Sequence, residues 1–371
     1  MSLPALLGWI FRFVFAAGVA FLVNHFLPPE SWSWRVQDLI YRRMPPSPPD
    51  TQIVVIDIAR MGRGQLAQLL RAVGEAQPRF IGIDAIFPTL ISPREDTLWA
   101  QALCTVSARV PVCLASTLDL SKGLERAPER PASHENFTQC AEQAFANVIL
   151  HDSAARIARE CLLYTIADGD TALSLGTRTA LALDSSLRDT LFALPPRMLL
   201  RYQGGMTHFY LLTGEDIIRD SIPLAWLRGK VVLLGVADPL RQTMEDIFFS
   251  PFNEGFLRRS FPDLYGIFIH ANVASMLMHR SFFHEVSYLW VGGLLLLAYA
   301  FISIAGSGAP LGIWRGVSIR GMQLALLWGA IELTLRLGVK GYWLPVEPLL
   351  WFILIAGEME IWRLPYRIRL A

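Results

Sequence analysis

Apolar residues crowd the two ends of the chain, and shorter apolar runs alternate with polar stretches between them. Residues 3–27, LPALLGWIFRFVFAAGVAFLVNHFL, carry a single charge, Arg12. That run exceeds a signal-peptide core of ~7 to 15 residues. NHFLPPESW follows instead of a small-x-small cleavage site, so the segment reads as an uncleaved membrane anchor. Three more apolar segments close the chain, at 286–305, 321–337 and 342–362. The middle one is short for a span of about 20 residues, and the last contains Pro345, Pro348 and two terminal glutamates. The expectation is four transmembrane helices, one N-terminal and three C-terminal.

Between the ends the period changes. A short helical pattern at 33–43 precedes the proline-rich PPSPPD, which must be extended because each proline restricts the residue before it. Residues 52–58, QIVVIDI, form a β-branched run suited to a strand buried on both faces. At 64–76 Leu66, Leu69, Leu70 and Val73 repeat at helical spacing, and 80–85, FIGIDA, is the next strand. A helix at 96–106 and a strand at 111–115 follow. This βαβαβ order predicts a parallel sheet with right-handed crossovers. Residues 119–139 are polar and read as a surface loop. Beyond it, 144–150 and 161–166 are expected as strands of a hairpin or meander, with Asp168–Gly169–Asp170 as a turn. A helix is expected at 172–183, strands at 199–203 and 230–235, and a closing helix at 266–278. The fold expected is therefore an α/β domain, mostly parallel sheet with flanking helices, joined to the four spans.

Composition supports a membrane protein with one large insert: the chain is 53% hydrophobic and 18% charged, below the roughly 25% charge of soluble domains. A net charge of +1 supplies no basic field for nucleic acid. Arg315, Arg320 and the tail residues Arg363, Arg367 and Arg369 lie on one side of the predicted spans, against Arg336 and Lys340 on the other. By the positive-inside rule the central domain is then extracytoplasmic. All four cysteines, Cys104, Cys113, Cys140 and Cys161, fall in that domain. The even count fits two disulfides in any of three pairings, with buried free thiols as the alternative. No C-x₂-C spacing suggests a metal site.

The residues D-L-I-Y-R-R before a proline-rich spacer, I-V-V-I-D-I, R-F-I-G-I-D-A-I-F, G-K-V-V-L-L-G and L-Y-G-I-F-I-H-A-N, followed by three apolar segments, resemble the CHASE type 2 family. The likeness covers roughly residues 30–362. It implies an extracytoplasmic sensory module of a bacterial receptor, commonly placed ahead of a kinase, cyclase or similar output domain. Two features depart from the family pattern. After Asp57 the chain reads DIARMGRGQLAQ, where family members commonly continue with an acidic residue, Ser-Leu and a Trp-containing turn. After Trp362 only RLPYRIRLA remains, so output is expected to belong to a separate protein.

In an open parallel sheet, ligands sit beyond the carboxyl ends of the strands. Asp57, Asp84, and Asp238 with Arg241 fall near such ends, either contacting a ligand or capping the following turn. His270 and Asn272 lie inside the closing helix, as ligand contacts or as satisfied core groups that fix helix placement. Arg201, with Tyr202 beside Gly204 and Gly205, is either an anion contact or a strand end. In the spans Glu332 and Arg336 share one helix face and can pair. Ionisable groups in a membrane usually face protein or water, so Glu332 is expected near mid-depth, contacting a partner span, Arg12 or a proton path. Glu358 and Glu360 are expected to be merely interfacial. No G-x-S-x-G, P-loop or HExxH is present, so neither enzyme activity nor a metal or cofactor is expected.

The domain organisation expected is an anchor at 1–29, a sensory domain at 30–283 and a three-span segment with a short cytoplasmic tail at 284–371. The protein would lie in a bacterial inner membrane, bind a small molecule or an extracytoplasmic protein, and relay a signal through its spans to a separate partner. A homo-oligomer is compatible. The rival is a structural or assembly subunit of an envelope complex, with the domain as docking platform and Glu332 as membrane glue.

Overall fold

The computed structural model describes residues 3–26, 33–119, 133–150, 157–167, 170–219, 221–240, 243–253, 261–308 and 313–362. It divides into two compact units, Pro45–Phe282 and the combination of Met1–Met44 with Phe283–Ala371.

In the combined unit, helices α1 (Leu3–Phe26) and α2 (Ser33–Arg43) belong with the last three helices of the chain. In Pro45–Phe282 the order begins β1 (Asp50–Asp57), α3 (Arg63–Glu75), β2 (Phe80–Ile83), α4 (Pro93–Ser107), β3 (Val112–Ser116) and β4 (Glu142–Phe145). It continues with α5 (Leu175–Leu183), β5 (Phe209–Thr213), β6 (Val231–Gly235) and α6 (Gly266–Met278). These six strands form one sheet in the order β5-β1-β6-β2-β3-β4, and every pairing is parallel.

The β-branched run of β1 is buried at Ile53, Val54, Val55 and Ile56, as a strand covered on both faces must be. On one face α3 and α4 bury Leu66, Leu69, Leu70, Trp99 and Leu103 against Val54, Ile56 and Ile81. The other face carries α5 and α6. A Cβ at Gly235 would lie 3.0 Å from the Ile267 side chain, so glycine allows α6 to cross close to the end of β6. The residues from Gly266 through Leu277 are all buried, and α6 therefore has no solvent face on which to place its polar side chains.

Residues 142–145 join the sheet as its parallel edge, rather than forming the expected meander. Of the expected hairpin, Ile149–Leu150 does pair antiparallel with Ala158–Leu162, which also pairs with Arg197–Leu199, overlapping the expected 199–203 strand only at Leu199. Tyr164–Ala167 and Asp170–Leu173 form an antiparallel hairpin; two of the three residues of its expected turn, 168 and 169, lie outside the described residues. Helix α5 starts after that hairpin, where the Ser174 hydroxyl accepts from the Thr177 amide as an N-cap. Edge strand β5 has no counterpart among the expected elements.

Cys104 and Cys140 form a disulfide, tying α4 to the approach to β4. The second bridge expected from the even count is absent: Cys113 and Cys161 are buried free thiols. They sit in different sheets, and burial raises both thiols, Cys113 to about 12.

The remaining helices are α7 (Tyr288–Gly308), α8 (Ile313–Val339) and α9 (Val346–Trp362). Among the described residues three helices are long and apolar enough to cross a membrane: α1, α7 and α8. At 17 residues α9 is shorter, yet it buries Leu349, Leu350, Phe352, Ile353 and Ala356. Phe352 meets Phe13 of α1 edge-on at 5.5 Å. Helix α2 packs on α8, where Gly338 leaves room for Ile40.

Candidate functional site

Parallel strands place all their carboxyl ends on one rim, and four of the predicted residues meet there. Asp57 ends β1, where its Oδ1 accepts from the Ala59 amide at 3.1 Å and the Ala237 amide at 2.9 Å. It thereby joins its own turn to the loop after β6. Asp238 in that loop is 4% exposed and accepts from the amides of Leu240 and Thr243 at 2.9 and 3.1 Å. Arg60 reaches Asp238 Oδ2 at 3.4 Å. Between the two turns lies a cleft of about 150 Å³, lined by Asp57, Arg60, Thr213, Asp216 and Asp238. Drug-sized ligand pockets run from roughly 300 Å³ upward, so this cleft has room for a few heavy atoms or for the tip of something larger. Thr213 and Asp216 come from the end of β5 and the helical turn after it. The run FYLLT between Gly204–Gly205 and Gly214 was the available sequence signal for that strand.

Asp84 follows β2, on the other side of β6 from Asp57, about two strand spacings or roughly 9.5 Å away. It faces His270 of α6, with Oδ2 3.8 Å from Nε2, and the two side chains are 11% and 4% exposed. Burial dominates both titrations. It raises the Asp84 carboxyl to about 7 and lowers the His270 imidazole to about 4, against the opposing influence of the Asp246 carboxylate and a bond to the Ala146 backbone. Between those values one proton resides on the carboxyl and the imidazole is neutral. The pair therefore crosses from sheet to helix without net charge, which a dry interior requires.

Asn272 and Arg201 lie elsewhere. Asn272 is fully buried: its Oδ1 accepts from the Gln203 and Gly204 amides, and its Nδ2 donates to the Gly204 and Phe268 carbonyls. An amide so completely engaged fixes the segment before β5 onto α6. Arg201 donates to Ser281 Oγ at 3.2 Å, beyond the C-terminal end of α6. The structure thus gathers Asp57, Asp84, Asp238 and His270 at the rim and leaves Arg201 and Asn272 farther along α6. Arg241 lies outside the described residues, and no cluster of metal-ligating side chains occurs among those described.

In the helix bundle the expected Glu332–Arg336 pair forms, and the remaining polar residues pair differently from the expectation. Glu332 does not meet Arg12; it pairs with Arg43 at 2.7 Å and with Arg336 at 2.9 Å. Arg12 instead reaches Glu360 at 3.4 Å and donates to Tyr299 Oη at 3.1 Å. Glu360 also receives the Tyr299 hydroxyl at 3.2 Å and lies 3.8 Å from Arg315. At 1% exposure it is a buried carboxylate rather than an interfacial one, joining α1, α7, α8 and α9. Its position near a helix end concealed this, because position along the chain does not reveal which face turns inward. Arg320 pairs with Glu358 and donates to the Gln323 Oε1, while Gln323 Nε2 donates to the Ile353 and Leu354 carbonyls.

The family model of the CHASE2 domain matches residues 14–306. No curated protein and no solved structure gives a significant match.

Proposed function

Because the chain belongs to the CHASE2 family, an extracytoplasmic sensory domain family, we propose that it is a membrane receptor whose Pro45–Phe282 unit binds its signal at the carboxyl rim of the sheet. The observation that carries this reading is the convergence of Asp57, Arg60 and Asp238 on a cleft beside β6, with His270 bringing α6 to the same rim. The small cleft suits a compact polar molecule, or a side chain of an extracytoplasmic protein. In this reading α9 is the fourth span, the tail is cytoplasmic, and the membrane is the bacterial inner membrane. Helix α6 ends at Met278, ten residues before α7 begins at Tyr288, so a displaced α6 would act on α7 and through it on a separate signalling partner. A ligand panel assayed by thermal shift on the full chain tests this: a hit is expected to raise Tm, and Asp57→Ala with Asp238→Asn is expected to abolish the rise.

One feature favours the docking-platform reading. Leu90 and Ile91 are exposed beside a groove of about 680 Å³ along α4, bordered by Asn136 and Gln139. Apolar exposure of that kind marks protein contact surfaces. A stoichiometric complex that survives purification without added ligand and is lost in Ile91→Asp would favour it over the receptor.

A further inference from the structure

The rim is not the only polar junction on α6. At the opposite end of the sheet Ser275 Oγ donates to Asp50 Oδ2 at 2.7 Å, a buried bond joining α6 to the first residue of β1. The other Asp50 oxygen accepts from the Gln52 amide at 2.9 Å. His279, the C-terminal cap of α6, places Nδ1 2.9 Å from the Ser275 carbonyl and 3.4 Å from its hydroxyl. His208, just before β5, is 7% exposed and stacks on Gly204, where a Cβ would lie 2.5 Å from its own. Asn272 holds Gly204 from above, so the ring has little freedom to turn away. No hydrogen bond to the His208 imidazole occurs among the described residues, a condition a neutral ring tolerates far better than a charged one. The groups whose charges act on it are Asp50 from β1 and His279 from the end of α6.

We propose that Asp50, His208, Ser275 and His279 form a proton-operated latch on the C-terminal end of α6. With His208 neutral, Asp50 is committed to Ser275 and holds the helix against β1. A proton on His208 creates a cation in a largely buried side chain, and among the described residues Asp50 is the carboxylate whose charge acts on it; the carboxylate turns towards it, and the hydrogen bond from Ser275 is released. His279, whose Nδ1 meets the Ser275 carbonyl at 2.9 Å, holds the same serine from the end of the helix. Burial holds His208 below the ordinary imidazole range, so the latch is closed at neutral pH and opens on acidification. The sign agrees: a histidine with a depressed native pKa makes the closed form less stable as pH falls. Only transmission of the change to the spans rests on the receptor reading; the latch itself lies within the domain.

Hydrogen exchange on the full chain in phospholipid nanodiscs, with acid as the only variable, tests the proposal. On going from pH 7.5 to 5.5, after correction for intrinsic exchange, amides 274–281 are expected to lose about tenfold in protection, the scale of one lost charge-assisted bond. His208→Gln is expected to remove that pH dependence, and Asp50→Asn to lower protection at both values. A loss that is absent in the wild type, or unchanged in His208→Gln, overturns the latch. Should His208→Gln fail to fold, the wild-type His208 titration followed by NMR decides. A midpoint matching that of the α6 amides carries the proposal, and a mismatch overturns it. A ligand response that survives at the rim while the latch test fails would leave the receptor reading standing.

Discussion

The rim of the sheet and the core of the helix bundle both bury ionisable groups, and they neutralise them by opposite means. At the rim Asp84 and His270 stand 3.8 Å apart and shed charge by titration, the carboxyl rising to about 7 and the imidazole falling to about 4. In the bundle Arg12 and Arg315 flank the Glu360 carboxylate, whose charge is offset by counter-charge with one positive charge to spare. A neutral carboxyl facing a neutral imidazole can change state when a ligand or a proton arrives. A carboxylate between two guanidiniums is held in place by its ion pairs. In the proposed receptor the rim would respond and the bundle would hold.

The largest effect should come from breaking the bundle. Glu360→Ala leaves two partly buried guanidiniums without their carboxylate and should cost about 3 kcal/mol, measured by denaturant unfolding in detergent. Glu332→Ala removes a partner from the half-exposed Arg43 and the exposed Arg336 and should cost under about 1 kcal/mol. Equal losses would erase the distinction between a buried network and a surface pair.

Reducing the Cys104–Cys140 bridge comes next. It spans 36 residues, for which loop entropy gives about 4 kcal/mol. The expected outcome is a clear fall in Tm of the domain with dithiothreitol and none of comparable size in Cys113→Ser.

A related loss belongs to the Arg63–Asp96 pair on the α3–α4 face. Burial pushes the Asp96 carboxyl up, but hydrogen bonds from Arg63 and from the Ser92 and Ile91 amides outweigh it and hold the group below its usual range. A depressed carboxylate contributes stability above its unfolded pKa and loses it as pH falls through the folded one. Asp96→Asn should therefore destabilise the domain at pH 7 and flatten its acid limb, which urea titrations at pH 2.5 to 7 would show.

The smallest effect is the most diagnostic for the rim. Asp84, raised to about 7, makes folding less favourable as pH climbs from about 4 to 7, because the native state binds the extra proton. His270, lowered to about 4, does the reverse between about 4 and 6.5, because the unfolded state binds it. The two slopes offset, so the pair should contribute little net pH dependence over that window. Asp84→Asn should unmask stability rising with pH, and His270→Gln stability falling with pH. Parallel profiles in both variants would contradict the opposite shifts of the two groups.

Much of this was legible in the residues. QIVVIDI, FIGIDA and KVVLLG are apolar on both faces, and only a parallel sheet covered on two sides accommodates that, so strand positions and the rim followed directly. Strand β5 escapes a local reading because FYLLT alternates weakly and lies between glycines that read as loop. The 142–145 edge was misjudged because pairing partners depend on tertiary contacts, which a local pattern does not encode. The site divided the same way. Asp57, Asp84 and Asp238 were found because a strand end is a local property. Whether His270 or Asn272 reaches the rim depends on how α6 is rotated, and a helix buried all round carries no amphipathic signal to reveal it. Glu360 was underestimated for the same reason.

The central claim is that the rim of the sheet receives a signal and α6 carries it. The most direct measurement is hydrogen exchange across α6 in the full chain, in nanodiscs, with and without the compound giving the largest thermal shift from a panel of amino acids, sugars, nucleotides and short peptides. Binding is predicted to change protection both at 57–61 and 236–240 and along 266–278, with neither change in Asp57→Ala with Asp238→Asn. A compound that stabilises the protein while leaving α6 untouched, or acts equally on that variant, would contradict the account.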